Sequence, residues 1–355
     1  MPNLFRKVMT SLYDEKMQSG QVNTFLLNLF GKNPQELIIS ETEKVNTDVI
    51  RDNRLVAVDV LRGGGEGNKN VVGKYTAHEY AAPLYWEESP ITANMLNKRL
   101  PGVDPYQETG RMEALAYWAS RAQVDNTNKI LRAMEKMAAE ALQSGSITLS
   151  NEDSLDFGKK SEHTITPSTK WDNSGDPIGD LETLADILHQ DGKMKPNTLI
   201  FGASAWDAFI NNSNVQTYLD NRRIEPGMLA PGETIEGAKT WGAFDVGQYR
   251  FVVYIYNDFY DASGTATPYV TTDTVIMMNS MARLTKAFCA VEVLPQFEND
   301  YREQGMPSLP QFQPGEFIPF VYEMPPSSLM AGVQSAPLVI PTAIDTIGTL
   351  TNVDT

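Results

Sequence analysis

Cysteine is almost missing from this sequence. The one cysteine among 355 residues, Cys289, lies in the apolar run AFCAVEVL, where we expect a buried, small apolar side chain. One cysteine excludes a disulfide framework within the chain. This fits assembly in a reducing cytoplasm.

Long apolar runs and positive charge are also scarce. Nowhere are 18 consecutive residues apolar, and the N-terminal stretch has no apolar core of signal-peptide length, so we expect a soluble, non-secreted protein without a membrane partner. The chain has 29 Lys and Arg against 45 Asp and Glu, a net charge of −16. Nucleic-acid binding needs clustered basic side chains, so this balance argues against a protein that grips DNA.

Catalytic and metal-binding motifs are lacking as well. His78, His163 and His189 fall in different predicted elements, and none has a second ligand at metal-binding spacing. The acidic stretch Asp172–Asp180 does not match a calcium loop, because Pro177 stands where a glycine is required. No hydrolase or metalloprotease signature occurs. We therefore predict no catalytic residues, no metal and no cofactor.

Glycine, in contrast, is concentrated in the stretch RGGGEGNKN, Arg62–Asn70. A phosphate-binding loop needs a strand before it and a helix after it. The strand Arg54–Leu61 is present, but no helical period follows, and Gly67 precedes Asn68 instead of Lys-Ser or Lys-Thr. The pattern favours a two-stranded excursion with a flexible tip, made of Arg62, Gly63, Gly64, Gly65, Gly67, Lys69 and Asn70.

The longest predicted element is a helix from Arg111 to Ser144, a stretch without Pro or Gly. Apolar residues keep helical spacing along it. At a rise of about 1.5 Å per residue, its length would be about 50 Å. Ile130 and Met134 lie one turn apart and are expected to face the core. Gly145 is predicted as the C-cap.

The other elements indicate an α+β protein. Residues 3–30 are predicted as a helical arm whose apolar face docks on another element. The other predictions are a hairpin in Ser146–Phe157, helices Asp180–Asp191 and Ser204–Asn211, strands Thr198–Phe201, Arg250–Tyr256, Thr274–Met278 and Pro337–Ile340, a turn-rich loop Asp258–Pro268, extended proline-rich segments from Met306, and a loose tail in the last fifteen residues.

Several short motifs occur in an order that resembles the lambda-type major capsid proteins of tailed bacteriophages. The resemblance is carried by Glu43–Val45, Arg62–Gly64, Leu199–Arg223, Val252–Asn279, Met281–Arg283 and Gln334–Leu338. It implies the Hong Kong 97 capsid fold, of the α+β class. In that fold the expected parts are an N-terminal arm (1–35), an extended loop (36–108), a spine helix (109–145), a peripheral domain (146–195 and 305–345), an axial domain (196–304) and a loose C-terminal tail (346–355).

The resemblance also implies a function. The chain would form pentameric and hexameric capsomers of an icosahedral head shell, part of the virion, that encloses double-stranded DNA without binding it specifically. The glycine tip would be an assembly interface lying over a neighbouring subunit. Implied partners are a separate scaffolding protein, a portal and a decoration protein, with assembly in the host cytoplasm. Two alternatives stay open: an encapsulin-like compartment around an enzyme cargo, and a soluble α+β enzyme.

Overall fold

The computed structural model describes residues 22–50, 75–97, 111–149, 153–219, 227–229, 234–235, 237–293, 311–324 and 328–354. The helices are α1 (Ala93–Leu96), α2 (Arg111–Gln143), α3 (Pro177–Gly192), α4 (Ala203–Asn211) and α5 (Ser213–Leu219). Short 3₁₀ turns occur at Leu27–Leu29, Pro34–Glu36, Ser161–His163, Trp171–Asn173 and Ile344–Thr346.

The strands occur mostly in runs along the chain and do not alternate with the helices, as expected for an α+β protein. They are β1 (Leu37–Ile39), β2 (Lys44–Ile50), β3 (Tyr75–Ala81), β4 (Tyr85–Thr92), β5 (Ser146–Thr148), β6 (Ser154–Asp156), β7 (Thr164–Ile165), β8 (Thr198–Phe201), β9 (Gly227–Leu229), β10 (Thr234–Ile235), β11 (Ala238–Val246), β12 (Tyr249–Tyr256), β13 (Phe259–Ala262), β14 (Thr265–Pro268), β15 (Val275–Met278), β16 (Thr285–Cys289), β17 (Val291–Val293), β18 (Gln311–Gln313), β19 (Ile318–Met324), β20 (Ser328–Ile340) and β21 (Gly348–Leu350).

An eight-stranded sheet has the order β10-β11-β12-β8-β15-β21-β7, with β9 added to β11. Its central strands β8 (TLIF) and β15 (VIMM) are buried at every position, which explains their unbroken apolar sequence. Leu199 and Phe201 of β8 contact the core under α3 and α4, whereas Ile200 contacts the core shared with α2. Side chains of a strand alternate between its faces, so this sheet has helices on both sides.

A five-stranded sheet is built around β20, which is 13 residues long. One half of β20 pairs with both β4 and β19, and the other half, Ala336–Ile340, pairs with β16. The parallel strand β1 completes the sheet beside β16. The predicted strand Pro337–Ile340 is therefore the end of a longer central strand.

The long helix α2 confirms the predicted helix almost to the residue. Ile130 and Met134 are 1% and 0% exposed, as expected from their spacing, whereas Met112 in the first turn is 68% exposed. Gly145 follows the helix with φ +74°, the left-handed conformation expected of a C-cap glycine. The ammonium of Lys159 donates to the carbonyl of Gln143 at 2.8 Å, where the helix dipole favours positive charge.

Several local predictions are confirmed and one is wrong. The hairpin in 146–157 is formed by β5 and β6, and Cys289 is buried. The segment Asp258–Pro268 is not a turn-rich loop but the hairpin β13–β14. Its turn, Ser263-Gly264, has positive φ at both residues, which matches the twist of a two-residue hairpin and lets the flanking strands pair.

The C-terminal tail is the largest correction. Residues 346–355 were expected to be loose, but β21 lies between β15 and β7 in the eight-stranded sheet. Ile347, Leu350 and Val353 are each 0% exposed. These three apolar residues are three positions apart, with mainly polar residues between them. They therefore form no continuous apolar run from which their burial could be predicted.

The grouping of segments also differs from the expected domain boundaries. Helix α3 and strand β7 both come from the expected peripheral segment 146–195. Helix α3 packs in the eight-stranded sheet's core through Leu181, Leu184 and Leu188, and β7 pairs with β21 in that sheet. Strand β16, from the expected axial segment 196–304, pairs in the five-stranded sheet instead. The sheet that each segment joins is determined by long-range strand pairing, which cannot be predicted from the local sequence pattern.

Candidate assembly surfaces

The predicted assembly interface, Arg62–Asn70, lies outside the described residues, but the base of the excursion that carries it is described. Strands β2 and β3 pair antiparallel in an unbroken register from Lys44↔Ala81 to Ile50↔Tyr75. The chain therefore leaves this strand pair at Ile50 and returns to it at Tyr75, the pairing partner of Ile50. A two-stranded base is confirmed, and residues 51–74 connect its far ends.

This base is fixed to the body of the subunit. Val45 and Tyr80 are 3% and 8% exposed, and the Tyr80 ring meets Phe157 edge-on at 5.3 Å between centroids. The Tyr80 hydroxyl donates to the carbonyl of Asp156 at 3.4 Å. Burial, together with the charge of Asp156, raises the pKa of Tyr80, so the phenol stays protonated as a donor. The excursion thus starts from an anchored root.

A cluster of aromatic side chains lies on the five-stranded sheet, at the strands β4 and β19 that flank β20. The ring of Trp86 on β4 meets Phe320 on β19 edge-on at 5.7 Å, and Phe320 stacks on Tyr322 at 6.0 Å. Between the two strands stands Gly332 of β20, where a Cβ atom would collide with the Phe320 ring. Glycine therefore allows the rings to meet across the strand.

Glu88 orients the polar edges of this cluster. Its carboxylate accepts a hydrogen bond from Trp86 Nε1 at 3.2 Å and another from the Tyr322 hydroxyl at 2.9 Å. The bond to Glu88 raises the pKa of Tyr322. Trp86 is nevertheless 55% exposed. Exposed aromatic rings with satisfied polar edges are typical of protein–protein contacts.

Other exposed apolar side chains are spread over the subunit. Phe259 at the start of the β13–β14 hairpin is 62% exposed, and Met281 is 75% exposed. On the edge strand β1, Leu37 and Ile39 are 37% and 50% exposed. Single exposed apolar side chains are ordinary on a protein surface, so these four residues alone do not mark an interface.

His163 and His189 have structural partners. His163 is fully buried, and its Nε2 lies 2.9 Å from Asp191, which also accepts from Lys160 at 2.8 Å. That bond from Lys160, followed by the His163 contact, lowers the pKa of Asp191. His189 Nδ1 lies 3.4 Å from the Tyr249 hydroxyl, and His78 is on β3. Within the described ranges, no three His, Cys, Asp or Glu residues are grouped as metal ligands.

The family model for phage major capsid protein E matches residues 9–352, nearly the whole chain. The chain belongs to this family. It is a capsid protein, a structural component of the virion, and the mixed sheet-and-helix fold agrees with that membership. No curated protein matches the sequence. None of the helices in the described part of the chain is long and apolar enough to cross a membrane.

Three solved structures align with most of the chain. A capsid protein candidate from a prophage of E. coli CFT073 aligns with a TM-score of 0.60 at 17% identity, covering 93% of both chains. The holo-SrpI encapsulin of Synechococcus elongatus PCC 7942 aligns at 0.46 and 12% identity, covering 90% of this chain and 85% of its own. Mycobacterium phage Adephagia gives 0.44 and 11% identity, with 94% and 90% covered. The first of these supports the capsid-protein fold.

The aromatic cluster was not predicted from the sequence. The signal was present in YWEESPIT (β4) and IPFVYEM (β19), where large apolar residues stand on both faces of each strand. Only one face of such a strand can meet the helix α2 beneath the sheet. A second apolar face therefore indicates a second partner.

Proposed function

We propose that this capsid protein has the Hong Kong 97 fold and forms pentameric and hexameric capsomers of an icosahedral head shell around double-stranded DNA. Family membership over residues 9–352 carries the proposal. The anchored root of β2–β3 and the exposed aromatic cluster on β4 and β19 support it, because each subunit of a shell contacts several copies of itself through heterologous contacts.

The tip residues Arg62–Asn70 are the proposed contact of the extended loop with a neighbouring subunit. No apolar residue lies between Gly63 and Asn70, so this segment has nothing to contribute to the subunit's own core. Residues 51–74 contain five basic and three acidic residues, whereas the whole chain carries a net charge of −16. A segment with a net positive charge is attracted electrostatically to a second copy of an acidic protein.

Further partners follow from the same role. A separate scaffolding protein, a portal and a decoration protein are the proposed companions during assembly in the host cytoplasm. Expansion of a precursor shell on packaging would require interfaces with two discrete arrangements. The acidic composition suits a container that encloses DNA without gripping it.

The test compares two variants of the full-length protein with the parent, with its helper proteins present. One variant deletes Gly64–Lys69, and the control replaces the same six positions with a Gly/Ser segment of equal length. We expect both to keep the parent's circular dichroism and melting temperature. The deletion should block shell formation because the loss repeats at every lattice position.

Electron microscopy and sedimentation give the result. Folded subunits or capsomers from the deletion, and shells from the parent, would support the proposal. Shells of normal size and yield from the deletion would contradict the role of the tip. If the replacement also fails to assemble, then the residues matter and not only the length of the loop. An enzyme cargo inside the parent's shells, instead of DNA, would favour the encapsulin-like alternative.

A further inference from the structure

Glu135 is a fully buried carboxylate in the middle of α2, and it binds three donors from other parts of the chain. Its two oxygens accept hydrogen bonds from the backbone N–H groups of Leu26 at 2.9 Å and Leu27 at 2.8 Å. The hydroxyl of Tyr256, at the end of β12, donates to it at 2.8 Å. One side chain therefore joins the N-terminal segment, the long helix and the eight-stranded sheet.

The segment held in this way is residues 22–30, called here the N-terminal segment. Leu26, Leu27 and Phe30 are 0 to 2% exposed, and the Phe25 ring lies 5.2 Å from Tyr254 and 5.6 Å from Tyr256. Docking of a predicted arm through its apolar face is thus confirmed for these residues. The sequence VNTFLLNLF contains no titratable side chain, so the segment itself brings no charge to the carboxylate.

The groups around Glu135 do not neutralise it. Asp258, which follows β12, faces it with a like charge and is bonded to the side-chain amide of Asn23 at 2.9 Å. Tyr256 and Tyr269 are the titratable groups on the sheet side, and both have raised pKa values, so they stay neutral. The positive charge of Arg132, one turn earlier on α2, lowers the pKa of Tyr269, but burial raises that pKa by more. Within the described residues, no ion pair to Glu135 compensates its burial.

We propose that Glu135 is a proton-linked latch that holds the N-terminal segment against α2 and the eight-stranded sheet. Burial is the main cause that raises the pKa of Glu135 from 4.5 to about 7, while the three hydrogen bonds act in the opposite direction. The docked state therefore binds a proton more tightly than a state in which Glu135 is hydrated. The proton-linked part of docking is present at low pH and is lost as pH rises through about 7.

Release of the latch has a defined consequence. When the N-terminal segment leaves, Leu26, Leu27 and Phe30 expose their apolar surface, and the Tyr256 end of β12 opens. Both surfaces are then available to a second copy. The arm is thus a conformational device whose position responds to pH near neutrality, independently of the extended loop.

The test is hydrogen exchange of the full-length protein, resolved to the amides of Leu26 and Leu27 and corrected for the intrinsic pH dependence of exchange. With the two pKa values above, the docking equilibrium should weaken about tenfold between about pH 6 and pH 8. Amides of β8 and β15 should show no such change. Glu135→Gln removes the titration and should leave protection of the two amides independent of pH.

Two further variants make the test decisive. Glu113→Gln changes an exposed carboxylate of the same helix and should behave as the parent does. Tyr256→Phe removes a donor that lowers the pKa of Glu135, so its transition should move to higher pH; this variant carries the test if Glu135→Gln does not fold. The proposal is overturned if the parent's protection is constant over this range, or if Glu135→Gln keeps the parent's pH dependence.

Discussion

Removal of residues 347–355 should unfold the subunit, although the sequence of this tail resembles a loose end. The truncation removes Ile347, Leu350 and Val353, all 0% exposed. Burial of an aliphatic side chain is worth about 1.5–3 kcal/mol, so the three together contribute about 5–9 kcal/mol.

Backbone hydrogen bonds add to this loss. Val353 accepts from the N–H of Trp171 at 2.8 Å and donates to Asp273 at 3.1 Å, and Thr351 donates to Ile165 at 3.0 Å. Each such bond contributes about 0.5–1.5 kcal/mol. The free energy of unfolding of a typical domain is about 5–15 kcal/mol, so the truncated chain should retain little or no stability.

The assay is the soluble yield of the truncated chain, followed by thermal unfolding of whatever is soluble. A chain that lacks only Thr355 is the length control and should behave as the parent does. Leu350→Ala gives a graded version and should cost about 2–5 kcal/mol. Leu84→Ala is its matched control, because Leu84 is 56% exposed and its truncation should cost little. Normal yield and a melting temperature close to the parent's for the 347–355 truncation would refute the reasoning.

Two other predictions concern the helix α2 and the net charge. Met134→Asp places an unpaired charge in the core and should cost several kcal/mol, about 3–5, giving insoluble protein; Met112→Asp, at a 68% exposed position of the same helix, should be soluble and melt as the parent does. Equal yields of the two variants would contradict the burial of Met134. The isolated subunit, with its charge of −16, should not bind labelled duplex DNA near physiological salt, and a tight complex that weakens steeply with salt would contradict this.

Local pattern predicted the elements that are buried on one or both faces over many residues. The strands TLIF and VIMM, the strand RFVVYIY and the helix α2 were each found close to their predicted bounds. In these elements, the periodicity of the apolar residues is strong enough to predict the type of secondary structure from the segment alone. The interior of α2 still contained one surprise, because no period indicates that Glu135 is buried. Its partners Leu26 and Tyr256 lie more than a hundred residues away on either side.

Elements whose position depends on distant partners were predicted poorly. The tail is rich in Thr and Asp, yet Thr346 and Thr349 are buried because their hydroxyls are bonded, Thr346 to Ala343 and Thr349 to the Lys159 ammonium. Strand β20 is 13 residues long because β4 and β19 pair with one half of it and β16 pairs with the other half. The sheet that such a strand joins, and its length, depend on contacts with residues far away in the sequence, so a short stretch of sequence cannot predict them.

The candidate site and the core differ in the kinds of residue that specify their structures. The root β2–β3 is specified by residues that the subunit itself buries, such as Val45 and Tyr80. The tip Arg62–Asn70 has glycine, charge and amides instead, so its sequence contains no apolar pattern from which a conformation can be predicted. If its structure is fixed by a second copy, then the selection that shaped this sequence acted on the assembled contact. The missing helical period after these glycines, which argued against a phosphate loop, is compatible with that proposed contact between subunits.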